Sequence, residues 1–320
     1  MYGMKTVVAA SFQNSYGTAL TASNYFIPYL TEGFAVTKEP LVSENMTGVF
    51  DEGATYEGLN AVEATLETEA HPISLGVMLK AILGAPASVV SGAIYAHTFK
   101  PRTADFDVYA ANIPMTWTKH MGDSGSAHQF YDMVASKLTL SVANGELLKA
   151  SLDLMGGKYK QVAAPAASYP TGKGFTWDVA SVAISGVANG DITELNLELD
   201  EALENKYTLS AAKTPSRTVR SGRRTLAVGG TLVFDTQAEY QEFLSQSERN
   251  LTITLKGPTV IQSGYYDLLN IIVPLFRYTE FAPVAGGAEK VEVGFSGKGV
   301  YSVSSATALQ ITLTNTQPAY

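Results

Sequence analysis

Strict alternation of apolar and polar residues is the feature that most limits what this chain can become. In "AVEATLETE", Val62, Ala64, Leu66 and Thr68 fall on one side of an extended chain, and Glu63, Thr65, Glu67 and Glu69 on the other. "ITELNLELD" repeats the arrangement, with Leu195, Leu197 and Leu199 opposing Glu194, Asn196 and Glu198. A period of two, with abundant Thr, Val, Ser and Tyr, specifies antiparallel strands that have one dry face and one wet, acidic face. The expected fold class is mainly β with a few helices.

Two segments leave this alternation, each directly after such a strand. In "HPISLGVMLKAILG", Leu75, Met78, Leu79 and Leu83 recur at helical spacing, and Gly84 is the stop. In "DTQAEYQEFLSQS", Thr236 is placed to cap, Glu239 takes the capping-box position, and Tyr240, Phe243 and Leu244 form the apolar stripe. Each strand-helix unit is preceded by a hairpin and a long loop and followed by a further hairpin, so the chain reads as an internal duplication. The connector "QVAAPAASYPTGKG" marks the boundary. It divides the chain into domains 1–165 and 166–320, the first with an insertion at about 85–130. A near echo, "VASKLTLSVANG" and "VASVAISGVANG", straddles that boundary, with tight turns expected at Asn144-Gly145 and Asn189-Gly190.

With 320 residues, 46% of them apolar, the chain can bury a core large enough for about two domains. It has no cysteine, which removes disulfides and thiolate chemistry. The opening "MYGMKTVVAASFQNSYG" has only a short apolar run, unlike a signal peptide. "LLNIIVPLF" and "ISLGVMLKAILG" fall short of a membrane span. A soluble product made inside the cell, with no membrane partner, is expected. A net charge of −8 excludes a protein that grips nucleic acid through a basic surface, though not one that lets it pass.

Catalytic motifs are thin. "MGDSGSAH" places Ser124 in a fragment resembling a serine-protease nucleophile, with His71 or His97 and Asp105 or Asp107 upstream. His97 and Ser124 are only 27 residues apart, whereas that fold spreads its triad across two barrels; a Gly/Ser turn is the better reading. His71, His97, His120 and His128 show no metal-binding spacing, so neither metal nor cofactor is expected. Glu63 with Glu67, and Glu194 with Glu198, lie roughly 13 Å apart on a strand, too far for glycosidase chemistry within one strand. A charged sheet face fits them better, and no enzymatic activity is expected.

The two long loops carry opposite charge. Residues 42–58 contain Glu44, Asp51, Glu52 and Glu57 with no basic residue, and residues 212–224 contain Lys213, Arg217, Arg220, Arg223 and Arg224 with no acidic one. Such runs are often only solvated, but their matching places in the duplication suggest contacts between copies.

The strand-helix unit "VEATLETEAHPISLGVMLKAILG", the hairpin and bend "MVASKLTLSVANGELLKASLDLMGGKY", the opening strand "FTWDVASVAISG" and the closing strand "ALQITLTNTQPA" make the chain resemble a known family. It is similar to the tail tube, or major tail, proteins of bacteriophages with long non-contractile, siphovirus-type tails. The resemblance implies a duplicated β-sandwich or half-barrel tube domain with a flanking helix. In that family six domains make a ring around a central barrel, so a two-domain chain would form a trimeric, pseudo-hexameric ring. Rings stack into the hollow tube through which DNA passes during ejection.

The same resemblance implies the partners: further copies of the chain, the tape measure protein and passing DNA without tight binding, and the tail terminator and tail tip proteins. Its location would be the virion tail, after synthesis in the host bacterial cytoplasm. Glu63, Glu67, Glu69, Glu194 and Glu198 would face the lumen and repel phosphates. The loops 42–58 and 212–224 would make ring-stacking or inter-subunit contacts. The competing reading is a non-viral β-sandwich surface protein, an adhesin or pilin-like subunit, which composition alone fits equally.

Overall fold

A rung of leucines joins the two halves of the chain in the computed structural model, which describes residues 5–46, 48, 50–102, 114–122, 125–209, 212–283 and 291–320. Leu66, Leu152, Leu138, Leu199 and Leu226 are successive cross-strand partners. None is more than 5% exposed. They sit on Asn60–Glu69, Lys149–Gly156, Ser126–Ala143, Ile192–Asp200 and Thr225–Val233. Ala35–Lys38 extends this layer on one side, and Glu292–Val300 and the end of Tyr265–Phe281 extend it on the other. Eight strands thus form one continuous antiparallel layer, and the protein is mainly β, as the alternation requires. Even-numbered residues of Asn60–Glu69 and odd-numbered residues of Ile192–Asp200 supply its dry face, with Val62, Ala64, Leu195 and Leu197 buried beside the rung.

A second layer completes the core. In the first half it comprises Tyr25–Phe26, Thr6–Phe12, Met115–Met121, the start of Ser126–Ala143, and Lys158–Ala163. In the second half it comprises Ala180–Ile184, Arg249–Gln262, the start of Tyr265–Phe281, and Gln310–Asn315. The hairpin Ala87–Ser91 and Ile94–Phe99, from the segment read as an insertion, pairs with Gln310–Asn315 and so extends the sheet of the opposite half.

Ser126–Ala143 and Tyr265–Phe281 belong to both layers and change partners midway. In the first, the change falls at Asp132, whose φ of 59° is rare outside glycine. Its fully buried carboxylate secures the bend, accepting from Gln13 Nε2 at 2.9 Å and Gly17 N at 2.7 Å and pairing with Lys158 Nζ at 2.8 Å.

The first helix, Pro72–Leu83, stops at the glycine its sequence indicates. Pro72 opens it, His71 Nδ1 accepts from Ile73 N at 3.3 Å, and Gly84 adopts φ 99° at the C-cap. Its stripe residues Leu75, Met78, Leu79 and Leu83 are buried, but so are Val77, Ala81 and Ile82, because strands of both halves, Tyr25–Phe26, Ser126–Ala143, Ile94–Phe99, Tyr265–Phe281 and Gln310–Asn315, pack against it. Lys80 reaches out over the Phe12 ring, 4.1 Å from its centroid, to donate to the Tyr320 carbonyl.

The second helix, Ala238–Ser245, departs from expectation. Thr236 does not cap it; Gln237 occupies the N-cap with no side-chain bond. Glu239 instead accepts from Arg249 and Tyr278, each at 2.8 Å. Tyr240 and Phe243 pack on Phe281, while Leu244 stays exposed.

The echo's two turns also differ. At Asn144-Gly145, Glu146 N bonds Ala143 O at 3.0 Å and Gly145 has φ 85°. In the second copy the tight turn is Ser185-Gly186, both with positive φ as a type I′ hairpin requires. Asn189 serves afterwards, its side chain accepting from Asp191 N at 3.0 Å.

Two predictions follow from the core. Leu199→Ala removes the rung at the junction of the halves and is expected to cost about 3 kcal/mol, read as a lowered midpoint in chemical denaturation. Asp267 projects inward and is nearly buried, and burial raises its pKa from 3.8 to about 6. The folded state therefore holds this proton more tightly than the unfolded chain, and stability falls as pH rises between those two values. Asp267→Asn should flatten that slope and raise the melting temperature at pH 7; identical pH profiles of melting would refute this.

Candidate functional site

The face opposite the leucine rung is predominantly polar, and Glu63, Glu67, Glu69, Glu194 and Glu198 all project from it. The register keeps them apart from one another. Glu63, Glu67 and Glu69 oppose Met155, Ser151 and Lys149. Glu194 lies between Ala143 and Thr231, and Glu198 between Thr139 and Ala227. No carboxylate of the five directly faces another, so the strongest like-charge repulsion is avoided.

The same face carries Asp153, Asp200 and Glu292, whose strands or positions the sequence reading passed over, and Lys137, Lys149 and Lys298. Lys137 pairs with Glu198 at 2.9 Å, a hydrogen bond that raises the lysine pKa, and Lys149 pairs with Glu146 at 2.8 Å. The surface remains predominantly acidic.

Two β-hairpin arms leave one end of this layer. The first has Leu41–Val42 paired with Thr55–Tyr56, between Ala35–Lys38 and Asn60–Glu69. The second has Leu203–Lys206 paired with Arg217–Arg220, between Ile192–Asp200 and Thr225–Val233. The chains of the first arm lie so close at its base that a Cβ on Gly58 would stand 2.0 Å from Glu39 O. Glu44, Asp51 and Glu52 are exposed on this arm, beside fully exposed Met46 and Phe50. The apolar pair was missed because the charge run dominates the segment's composition.

The basic residues of the second arm divide by role. Lys213 bonds Glu57 of the first arm within the same chain, which lowers the glutamate pKa, and Lys213 O accepts from Asn60 N at 2.8 Å. Arg220 and Arg224 turn inward to Glu201, which is fully buried, at 2.6 Å and 2.7 Å. Arg224 also donates to Arg102 O at 2.9 Å, and burial brings the Arg102 pKa down to about 10. Arg217 and Arg223 stay on the surface. Glu201 was overlooked in sequence, although its odd number places it on the side of Leu195, Leu197 and Leu199.

Among the histidines, His97 is buried between Ser88 Oγ at 2.7 Å and Gln317 O at 2.8 Å. Asp105, Asp107, Asp123 and Ser124 lie outside the described residues. Among the described residues there is no cluster of three or more metal-ligand side chains. None of their helices is long and apolar enough to cross a membrane.

A layer with a wet acidic face, two outer edges that pair with no further strand among the described residues and projecting arms is the architecture of an assembly subunit. A sequence model of the phage tail tube protein family matches residues 3–314, nearly the whole chain. The chain belongs to that family and is a structural component of the phage tail and of the virion. No curated protein matches it.

Removing the buried carboxylate would leave Arg220 and Arg224 facing each other uncompensated. Glu201→Ala is expected to cost about 3 kcal/mol, the lower end for a buried pair because both arginines keep some solvent. Urea denaturation compared with Arg223→Ala, which should change little, checks this.

Proposed function

We propose that this chain forms rings which stack into a tail tube and conduct DNA, and that it holds two tube domains, 1–165 and 166–320. The observation that carries this reading is the pairing of Ser126–Ala143 with Ile192–Asp200, from Lys137↔Asp200 to Ala143↔Glu194. On either side of that junction the strand order is equivalent. Ala35–Lys38, an arm, Asn60–Glu69, Lys149–Gly156 and a long bent strand are matched by Ile192–Asp200, an arm, Thr225–Val233, Glu292–Val300 and a long bent strand. The last strand of the first set pairs with the first strand of the second.

Repeating that junction between chains joins residues 277–281 of one copy to the free edge of Ala35–Lys38 in the next. Closure removes the open edges that would otherwise recruit stray strands. Three copies make a pseudo-hexameric ring of six four-strand units, consistent with a siphovirus-type tail. The acidic face then lines the lumen, where Glu63, Glu67, Glu69, Glu194 and Glu198 repel phosphates. DNA slides through because few cations are available to replace its counterions. The tape measure protein would occupy the same channel before ejection, and the terminator and tip proteins would bind the tube's two ends. The arms, through Glu44, Asp51, Glu52, Arg217 and Arg223, would reach neighbouring rings or subunits after assembly from subunits made in the bacterial host.

Mass measurement and negative-stain imaging test this directly. The purified chain should give trimeric rings and tubes, and Thr279→Pro, at the exposed edge, should leave a folded monomer that forms neither. A wild-type chain that stays monomeric at high concentration would overturn the reading.

A further inference from the structure

The outward face of the second half's outer sheet holds a cavity of about 460 Å³. Its floor is a single cross-strand row on five adjacent strands: Val89, Ala96, Thr314, Leu268 and Lys256. Val89 is 71% exposed and Tyr265, at the rim, is 53% exposed, so apolar surface stands open to solvent. Lys256 provides the positive charge, its Nζ 3.6 Å from the Tyr266 ring centroid.

The cavity and the arms lie at opposite ends of the eight-stranded layer. Asn315, next to Thr314 in the floor, donates to Pro72 O at 3.0 Å, just beyond the Glu69 end of Asn60–Glu69. Both arms emerge at the other end, where Lys38 pairs with Asn60 and Asp200 with Thr225. In a head-to-tail stack, the arms of one copy point toward the cavity end of the next. From its base at Lys38 to Gly48 the first arm can extend about 30 Å at the usual rise per residue, comparable to the length of a strand in the layer.

We infer that this cavity receives the first arm of a copy in the adjacent ring, with Phe50 and Met46 filling it and the Glu44, Asp51 and Glu52 carboxylates facing Lys256. This rests on the tube reading and names the acceptor of the stacking arm. An exposed aromatic entering an apolar recess is the usual anchor of a protein interface. Charge selects between the two arms: the second ends in exposed Leu209 but carries Arg217, the same sign as Lys256.

The chain has no cysteine, so a pair can be introduced cleanly. Assembly of the wild type is first imaged; a persistent monomer removes the tube reading and the stacking partner with it. Phe50→Cys combined with Val89→Cys is then assembled and treated with a short bismaleimide. A denaturing-gel ladder of covalent multimers, absent from either single variant, is expected. Tubes that form without a ladder would place the arm elsewhere and overturn this inference while leaving the tube reading intact. Should the double variant not assemble, Ala96→Trp fills the cavity and leaves the arm unchanged. Trimeric rings with at least a tenfold loss of tubes support the inference; tubes of normal length and yield overturn it.

Discussion

Everything in this molecule depends on the antiparallel pairing of Ser126–Ala143 with Ile192–Asp200. It makes one layer out of two and carries the leucine rung from Leu138 to Leu199. Because side chains alternate with a period of two, a slip of one residue would turn those leucines to water and the glutamates into the core. The continuity of the dry face therefore fixes the continuity of the wet face. Burial of leucine on one side is the reason the acidic residues of two distant segments share one surface.

Where the chain changes direction, buried carboxylates hold it. Asp132 secures the transfer of a long strand between layers, with Lys158 and two amide donors satisfying it. Glu201 does the same at the foot of the second arm with two guanidinium groups. Both sites satisfy the rule that a buried charge needs a partner and hydrogen bonds. Asp267, whose pKa burial lifts to about 6, is the contrasting case in which desolvation dominates.

Much of this was legible. Strand faces followed from parity, and the end of the first helix followed from Gly84. What failed did so for identifiable reasons. Helical periodicity reports one buried stripe, but Pro72–Leu83 is enclosed on nearly every side by strands remote in sequence. Thr236 had the right chemistry for a cap, yet Glu239 was drawn to Arg249 and Tyr278 rather than back to the helix start. Charge alone assigned the whole cationic run 212–224 to contacts between copies, but Arg220 and Arg224 face a carboxylate of their own chain that becomes buried when the chain turns at Ala202, a residue with φ 50°.

By itself the sequence determined which residues of each strand are wet and which are dry, because alternation is a local property of an extended chain. Only the tertiary structure decided which strands are neighbours. An apolar strand face is compatible with many partners, and the choice among them depends on layers closing over a shared core. That choice placed the Ala87–Phe99 hairpin on the opposite half, joined Lys213 to Glu57 across the two arms, and gathered five separated glutamates onto one face.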